Sequence, residues 1–274
     1  MTPGFSVVIP MYRSTLTIAN ALASVATQTV APLEVIAVDD CSPDETVQTA
    51  ERCRQLFSQR DIPFLVVRQA SNAGPSAARN VGIDRSRASH VAFLDSDDVW
   101  HPHKLQVMRS HLQHGAPPAM LYHSYTECAS FNPHDDVRAD GYRVTRMRLR
   151  DLLVRNSAQT SCVVLRRDGL ERFDERARYC EDYDLWLRVV ETGDVLRLVG
   201  PALTRLGRPQ LAQGGLSGNT GRMRAGEMAA YYRFCSRKWL PRVALLPGLI
   251  GYSMLKHGLS RWRVSTGASG ERSR

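Results

Sequence analysis

Residues 90–100 read His90-Val91-Ala92-Phe93-Leu94-Asp95-Ser96-Asp97-Asp98-Val99-Trp100, a short apolar run that empties into three carboxylates. Val91 to Leu94 has the unbroken apolar character of a parallel strand covered on both faces. That predicts an α/β fold in which ligands collect at the carboxyl ends of the strands. Three acids within four residues repel one another unless a cation sits among them. Hard oxygen donors suit Mg²⁺ or Mn²⁺, and Mg²⁺ is commonly held by one or two carboxylates together with substrate phosphates. The competing reading is a solvated acidic turn capping a helix that begins near Pro102.

Upstream, Phe5 to Ile9 reads as a strand stopped by Pro10, and Leu16, Ala19, Ala23 and Ala26 recur at roughly helical spacing. Leu33 to Val38 is a second buried strand ending in Asp39-Asp40. Ser42-Pro43-Asp44-Glu45 then has the form of a capping box and predicts a helix reaching about Phe57. Phe64 to Val67 is a third strand, Asn72-Ala73-Gly74-Pro75 a turn, and Ala77, Ala78 and Val81 continue a helix. Four strands alternating with helices, two of them ending in acids, predict a mostly parallel sheet flanked by helices. The first strand leads into Pro10-Met11-Tyr12-Arg13, not Gly-x-Gly-x-x-Gly, and no Walker loop follows, so neither a dinucleotide-binding nor a P-loop domain fits.

Downstream, Met120 to Tyr125 and Ser161 to Leu165 read as strands, with polar, turn-rich residues 128–142 between them. Glu181-Asp182-Tyr183-Asp184-Leu185-Trp186-Leu187-Arg188 opens a helix whose acidic first turn is, taken alone, ordinary helix-end electrostatics. Residues 201–224, rich in Gly, Arg and Gln, read as a loop that closes over a site. Val243 to Leu255 is apolar but short of the ~20 residues that span a bilayer. An interfacial membrane segment with a basic rim and a buried helix pair both fit it. Residues 265–274 read as a disordered tail.

The chain has 274 residues, 43% of them hydrophobic, which is enough for a large core. Its formal charge of +9 is uneven: residues 1–100 carry 8 Lys+Arg against 11 Asp+Glu, and residues 201–274 carry 13 against 2. A basic end behind a neutral core favours an anionic surface or substrate over nucleic acid. Six cysteines form no Cys-x-x-Cys pair and no zinc spacing, which predicts free thiols in a reducing cytoplasm. The N-terminus shows no charged or apolar region of a signal peptide, so the expected localisation is cytoplasmic.

Taken in order, Val7-Val8-Ile9-Pro10-Met11-Tyr12, Val38-Asp39-Asp40-Cys41-Ser42, Asn72-Ala73-Gly74 with Ala78-Arg79-Asn80-Val81-Gly82, Phe93-Leu94-Asp95-Ser96-Asp97-Asp98 and the Glu181–Arg188 segment carry a likeness. Over about residues 5 to 207 the chain resembles the family 2 glycosyltransferases, inverting enzymes with the GT-A fold. The resemblance implies residues 1–225 as the GT-A domain, with 1–115 the nucleotide-binding half and 116–225 the acceptor half. Residues 226–264 follow as a helical, membrane-associating or docked extension. It further implies Pro10, Tyr12, Asp39, Arg79 and Asp95 as nucleotide contacts, Asp97 with Asp95 at a Mg²⁺ or Mn²⁺ ion, and Asp182 as the general base. Glu181 and Trp186 fall to the acceptor side. An acid suits the base-binding position because it accepts the N–H of a pyrimidine ring.

The implied activity moves a sugar from a nucleotide-diphosphate sugar, a UDP-sugar first of all, to a hydroxyl of a glycan or lipid-linked acceptor in polysaccharide or lipid-linked glycan biosynthesis. Two departures stand out: Cys41 where the family's pattern has Gly, and Arg13 where Asn is frequent. No Gln-x-x-Arg-Trp follows the acidic helix, which argues for one sugar per encounter. The competitors are a sugar-nucleotide pyrophosphorylase, which should open with a basic glycine-rich loop, and a non-catalytic basic binder of membrane or nucleic acid.

Overall fold

The computed structural model describes residues 3–113, 115–127, 132, 135, 137–207, 219–237 and 246–253. Its first half alternates strand and helix: β1 (Phe5–Met11), α1 (Ile18–Ala26), β2 (Glu34–Asp39), α2 (Thr46–Arg52), α3 (Arg54–Ser58), β3 (Phe64–Arg68), α4 (Pro75–Arg85) and β4 (His90–Phe93). The four strands are parallel, in spatial order β3-β2-β1-β4. Every residue of β1, β2 and β4 is buried, as an apolar run covered on both faces requires.

The second half continues with β5 (Val99–Trp100), α5 (Lys104–Leu112), β6 (Met120–His123), β7 (Tyr125–Thr126), β8 (Arg143–Met147), α6 (Leu149–Val154) and β9 (Val163–Arg166). It ends with α7 (Glu181–Thr192), β10 (Val195–Val199), β11 (Thr204–Arg205) and α8 (Thr220–Ser236). β9 lies antiparallel between β4 and β6 and joins the halves into one eight-stranded sheet, β3-β2-β1-β4-β9-β6-β10-β8. β5, β11 and β7 form a separate three-stranded sheet. The expected α/β sheet flanked by helices is thus present, mostly parallel at the strands that carry the acids.

Several local expectations change. β1 runs on through Pro10 because its ladder with β4 ends at Val8↔Phe93, so the missing proline N–H falls beyond the ladder. Leu16 is no part of α1's buried stripe and stands 92% exposed. Ser42 caps no helix: α2 begins four residues later, where Asp44 takes Thr46 N–H (3.3 Å) and its hydroxyl (2.6 Å). The Met120–Tyr125 strand splits between two sheets, and Thr160–Cys162 forms a 3₁₀ turn before β9. β8 and β10 were not legible; β8 reads Arg-Val-Thr-Arg-Met, a mostly exposed edge without an apolar run.

The sheet separates two apolar layers, Val7 and Ile9 facing α1, α3 and α5, and Val8 facing α4 and α7. Gly82 permits α4 to lie against β1, since a Cβ there would meet Val8 Cγ1 at 2.3 Å. α8 covers α7 through Tyr231, Phe234 and Cys235 and through Arg233, whose Nε pairs with buried Asp184 at 2.9 Å. Residues 246–253 are helical and bind back, Ser253 Oγ to Glu227 (2.8 Å) and Tyr252 hydroxyl to Val154 O (3.3 Å). Of the expected closing loop at 201–224, Thr204–Arg205 form β11 and Thr220 opens α8, while residues 208–218, the ends of the Val243–Leu255 stretch and the 265–274 tail lie outside the described residues. Among the described residues no helix is long and apolar enough to cross a membrane. The five described cysteines are free thiols.

Candidate active site

The loops after β1 and β2 meet. Asp39, fully buried, accepts Ser42 N–H (3.1 Å) on Oδ2 and faces Arg68 Nε at 3.5 Å, while its buried Oδ1 has no hydrogen-bond partner. Ser42 Oγ accepts Arg13 N–H at 3.1 Å. Pro10 is buried within β1 and Tyr12 stands 43% exposed at its end. Asp40 turns the other way: its carboxylate accepts the N–H groups of Ala73 (2.7 Å) and Gly74 (2.8 Å) and the amide of Gln69 (2.6 Å). It shapes the turn that starts α4. Arg13 and Cys41 both hold positive φ, 50° and 57°. Asn and Gly tolerate that backbone best, which explains physically the residue types they replace.

The acidic loop after β4 adjoins these. Ser14 Oγ lies 2.6 Å from Ser96 Oγ, and Arg79 from α4 bridges Asp95 (2.8 Å) and Glu181 (2.9 Å). Burial opposes charge on Arg79, but Asp95 and Glu181 overcome it and hold the guanidinium protonated. Asp182, next along α7, accepts Tyr183 N–H at 2.7 Å and lies 3.4 Å from Thr160 Oγ1. Burial, with the charge of Glu181 beside it, lifts its carboxyl to about 7 against the pull of Arg79. At this helix N-terminus burial outweighs the dipole.

Asp98 stands apart from its neighbours. It is buried, accepts Ser161 Oγ on Oδ2 (2.5 Å) and Gly207 N–H on Oδ1 (2.9 Å), and burial with Asp95 nearby pushes its carboxyl up to about 7. The three acids therefore do not share one set of partners: Arg79 sits at Asp95, and Asp98 faces protein donors. Among the described residues no three His, Cys, Asp or Glu side chains form a cluster able to hold a metal ion by themselves. Half-buried Asp97, with half-buried Asp95 nearby, is a donor set of one or two carboxylates. A set of that size fits Mg²⁺ or Mn²⁺ whose remaining positions are filled by phosphate and water.

Residues 6–173 match the family model described as Glycosyl transferase family 2. The chain belongs to that family. Among its relatives, the amylovoran biosynthesis glycosyltransferase AmsB of Erwinia amylovora is 31% identical over 206 residues, covering 69% of this chain and 64% of AmsB. The succinoglycan biosynthesis protein ExoW of Rhizobium meliloti is 43% identical over 103 residues, 36% of this chain and 31% of ExoW. The matched segments thus span less than two thirds of these relatives' length. Among solved structures, S. aureus TarS 1-349 in complex with UDP-GlcNAc superposes with a TM-score of 0.68 at 20% identity, over 93% of this chain and 72% of that one. The mannosyltransferase PcManGT from Pyrobaculum calidifontis, in complex with GDP-Man and Mn²⁺, gives 0.64 at 14%, over 99% and 77%. These likenesses bear out the GT-A fold.

Within this family 2 chain, Asp39, Arg79, Asp95, Asp97, Glu181 and Asp182 are linked through the loops just described. Trp186 is not among them. It is 0% exposed, donates its indole N–H to Ala158 O (3.1 Å) and packs on Phe173 (6.2 Å between centroids), supporting α7 from beneath instead of meeting an acceptor. Arg79 gives both guanidinium ends to carboxylates and presents neither to a nucleotide in this geometry. Sequence reasoning missed Asp40, Ser161, Gly207 and Lys104. Lys104 is fully buried, 3.4 Å from the Trp100 ring centroid and 2.8 Å from Ser161 O, and burial pulls its ammonium well below the ordinary lysine range. No sequence spacing signals it: Trp100 closes β5 and Lys104 opens α5, and the fold brings the two together.

Proposed function

We propose that this chain is an inverting glycosyltransferase that moves one sugar from a nucleoside-diphosphate sugar to an acceptor hydroxyl, in polysaccharide or lipid-linked glycan biosynthesis. The observation that carries the reading is the Arg79 bridge, Asp95 at 2.8 Å and Glu181 at 2.9 Å, which sets the acidic strand end beside Asp182. The unpartnered buried oxygen of Asp39 supports a nucleobase N–H at that end of the cleft, with Pro10 and Tyr12 beside it. Structural neighbours solved with UDP-GlcNAc, or with GDP-Man and Mn²⁺, support a nucleotide sugar and a divalent ion here.

In this reading Asp182 takes the proton of the acceptor hydroxyl as that oxygen attacks the anomeric carbon from the face opposite the diphosphate, and the bond to the diphosphate breaks with inversion. A pKa near 7 suits that task better than an ordinary aspartate's. Glu181 and Arg79 orient the base, Asp95 meets ribose or sugar, and Asp97 would hold Mg²⁺ or Mn²⁺. When bound, the ion offsets the charge that gathers on the leaving diphosphate.

The acceptor is a glycan or lipid-linked glycan, and peripheral membrane contact through residues 231–263 belongs to the same proposal in reduced form. Arg233 and Arg237, two of its basic residues, turn to Asp184 (2.9 Å) and Glu171 (3.6 Å) on the domain. That supports docking for residues 231–237. The test of function is hydrolysis of a panel of UDP-, GDP- and dTDP-sugars with and without Mn²⁺; donor turnover with none of them, by well-folded protein, would sink it. Flotation on anionic and neutral vesicles across a salt series tests the membrane part, and no flotation on either ends it.

A further inference from the structure

Ser161 joins the second half of the sheet to the acidic loop. Its hydroxyl accepts Asp95 N–H (2.9 Å) and donates to Asp98 Oδ2 (2.5 Å). Its carbonyl accepts Trp100 Nε1 (2.8 Å), Lys104 Nζ (2.8 Å) and Thr204 Oγ1 (3.2 Å), so the residue has little freedom to move. From the opposite side, Gly207 N–H donates to Asp98 Oδ1 at 2.9 Å. A Cβ on Gly207 would lie 1.7 Å from the carbonyl oxygen of Asp97 and 2.7 Å from its carbonyl carbon. Gly207 has no positive φ, so the close approach of two backbones, not a special dihedral, requires glycine there.

We infer that Ser161 and Gly207 are positioning residues of the sugar-transfer site: by gripping Asp98 from two sides they fix the backbone of Asp97, the carboxylate assigned to the metal. The inference rests on the proposed glycosyltransferase reading. Ser161 lies within the segment matched by the family model and Gly207 beyond it, and both belong to the second half of the chain. Holding both oxygens of Asp98 stops that residue from rotating, and the Gly207 backbone blocks the Asp97 peptide from swinging outward. Mg²⁺-type ions demand near-ideal octahedral geometry, and a ligand displaced by a fraction of an ångström binds poorly. A side chain at 207 must push the loop and the β11 end apart.

Calorimetry of UDP and GDP, each with and without Mn²⁺, tests this on the full chain, with melting curves run alongside. The wild type should bind its nucleotide more tightly with Mn²⁺. Gly207→Ala should lose at least tenfold of that metal-dependent gain while its metal-free affinity stays within twofold. Ser161→Ala should lose part of the gain, and Ser161→Thr, which keeps the hydroxyl, should recover it. Should Gly207→Ala fail to fold, the Ser161 pair decides. Folded variants that keep the full Mn²⁺ gain overturn the inference, as does equal loss of metal-free and metal-dependent affinity, which would mark general loosening. A wild type indifferent to Mn²⁺ overturns the functional reading itself and this inference with it, a result distinguishable from the others because it needs no variant.

Discussion

The loops that follow β2 and β4 each carry a pair of adjacent acids, Asp39-Asp40 where β2 ends and Asp97-Asp98 in the turn after β4, and both pairs divide the work in the same way. In each pair one acid holds groups of the protein, Asp40 the 73–74 turn and Asp98 Ser161 and Gly207, while the other, Asp39 or Asp97, is the one the proposed function assigns to a ligand. The two ends differ in reach. Asp40 organises the 73–74 turn within its own half, whereas Asp98 reaches to Ser161 and Gly207 in the other. The β2 end, proposed to take the nucleotide, is therefore self-contained, and the β4 end, proposed to take the metal, is a joint between halves.

The largest effect that separates the ends is on turnover. Asp97→Ala should lower donor turnover by about 10³ or more, because a metal at the leaving group contributes several kcal/mol. Its metal-free nucleotide affinity should match the wild type, and retained Mn²⁺-dependent binding would remove Asp97 from the metal. Next comes pH. With Asp182 lifted to about 7, and the base active only when deprotonated, transfer should fall about tenfold per unit as pH drops below 7 and level off above it. The same shift makes the charged form unfavourable in the fold, so Asp182 stabilises below its unfolded value, near 3.8, and that contribution is lost as pH rises through about 7. Arg79→Met, which removes the cation beside this pair, should move the acid limb of the rate profile to higher pH; an unmoved limb in a folded variant breaks the bridge argument.

A paired substitution at the β2 end is smaller and sharper. Asp39→Asn should weaken nucleotide binding by about 10- to 100-fold, the range of one hydrogen bond to a charged group, with little change in melting temperature. Asp40→Ala should do the reverse, costing about 3 kcal/mol by leaving three donors without their acceptor. Denaturant unfolding and calorimetry on both variants check this, and interchanged results would reverse the assignment of cleft-facing and holding acid.

How much of this was legible follows from where the signal lies. The buried strands β1, β2 and β4 show in any apolar window, and the acids at their ends show by residue type. What was hidden depends on contacts far apart in the chain: Ser161 to Asp98 spans 63 residues and Gly207 to Asp98 spans 109. Trp186 misled because its place beside the acids on α7 says nothing of which face of the helix it occupies; period 3.6 turns it inward, onto Phe173. Arg233 and Arg237 belong to the basic rim read beside the apolar Val243–Leu255 stretch, and their acids, Asp184 and Glu171, come into reach only through the docking of α8.

The smallest effect concerns the loop after β2. Cys41 holds φ 57°, where any residue with a Cβ is strained by about 1–2 kcal/mol and glycine is not. Against that, glycine adds flexibility to the unfolded chain and takes back roughly 0.5–1 kcal/mol. The thiol makes a long contact, Sγ to Ala70 O at 3.8 Å, too weak to alter the balance. Cys41→Gly should therefore stabilise the protein by about 0.5–1 kcal/mol, read as a modest rise in melting temperature. Nucleotide affinity should hold within twofold, because Ser42 N–H keeps its place on Asp39. A lower melting temperature would show that the left-handed turn is supported by contacts of the cysteine side chain, and a weaker nucleotide affinity would show that the strained turn presets the Asp39 loop for its ligand. Either result would make the β2 end less self-contained than the comparison with β4 holds it to be.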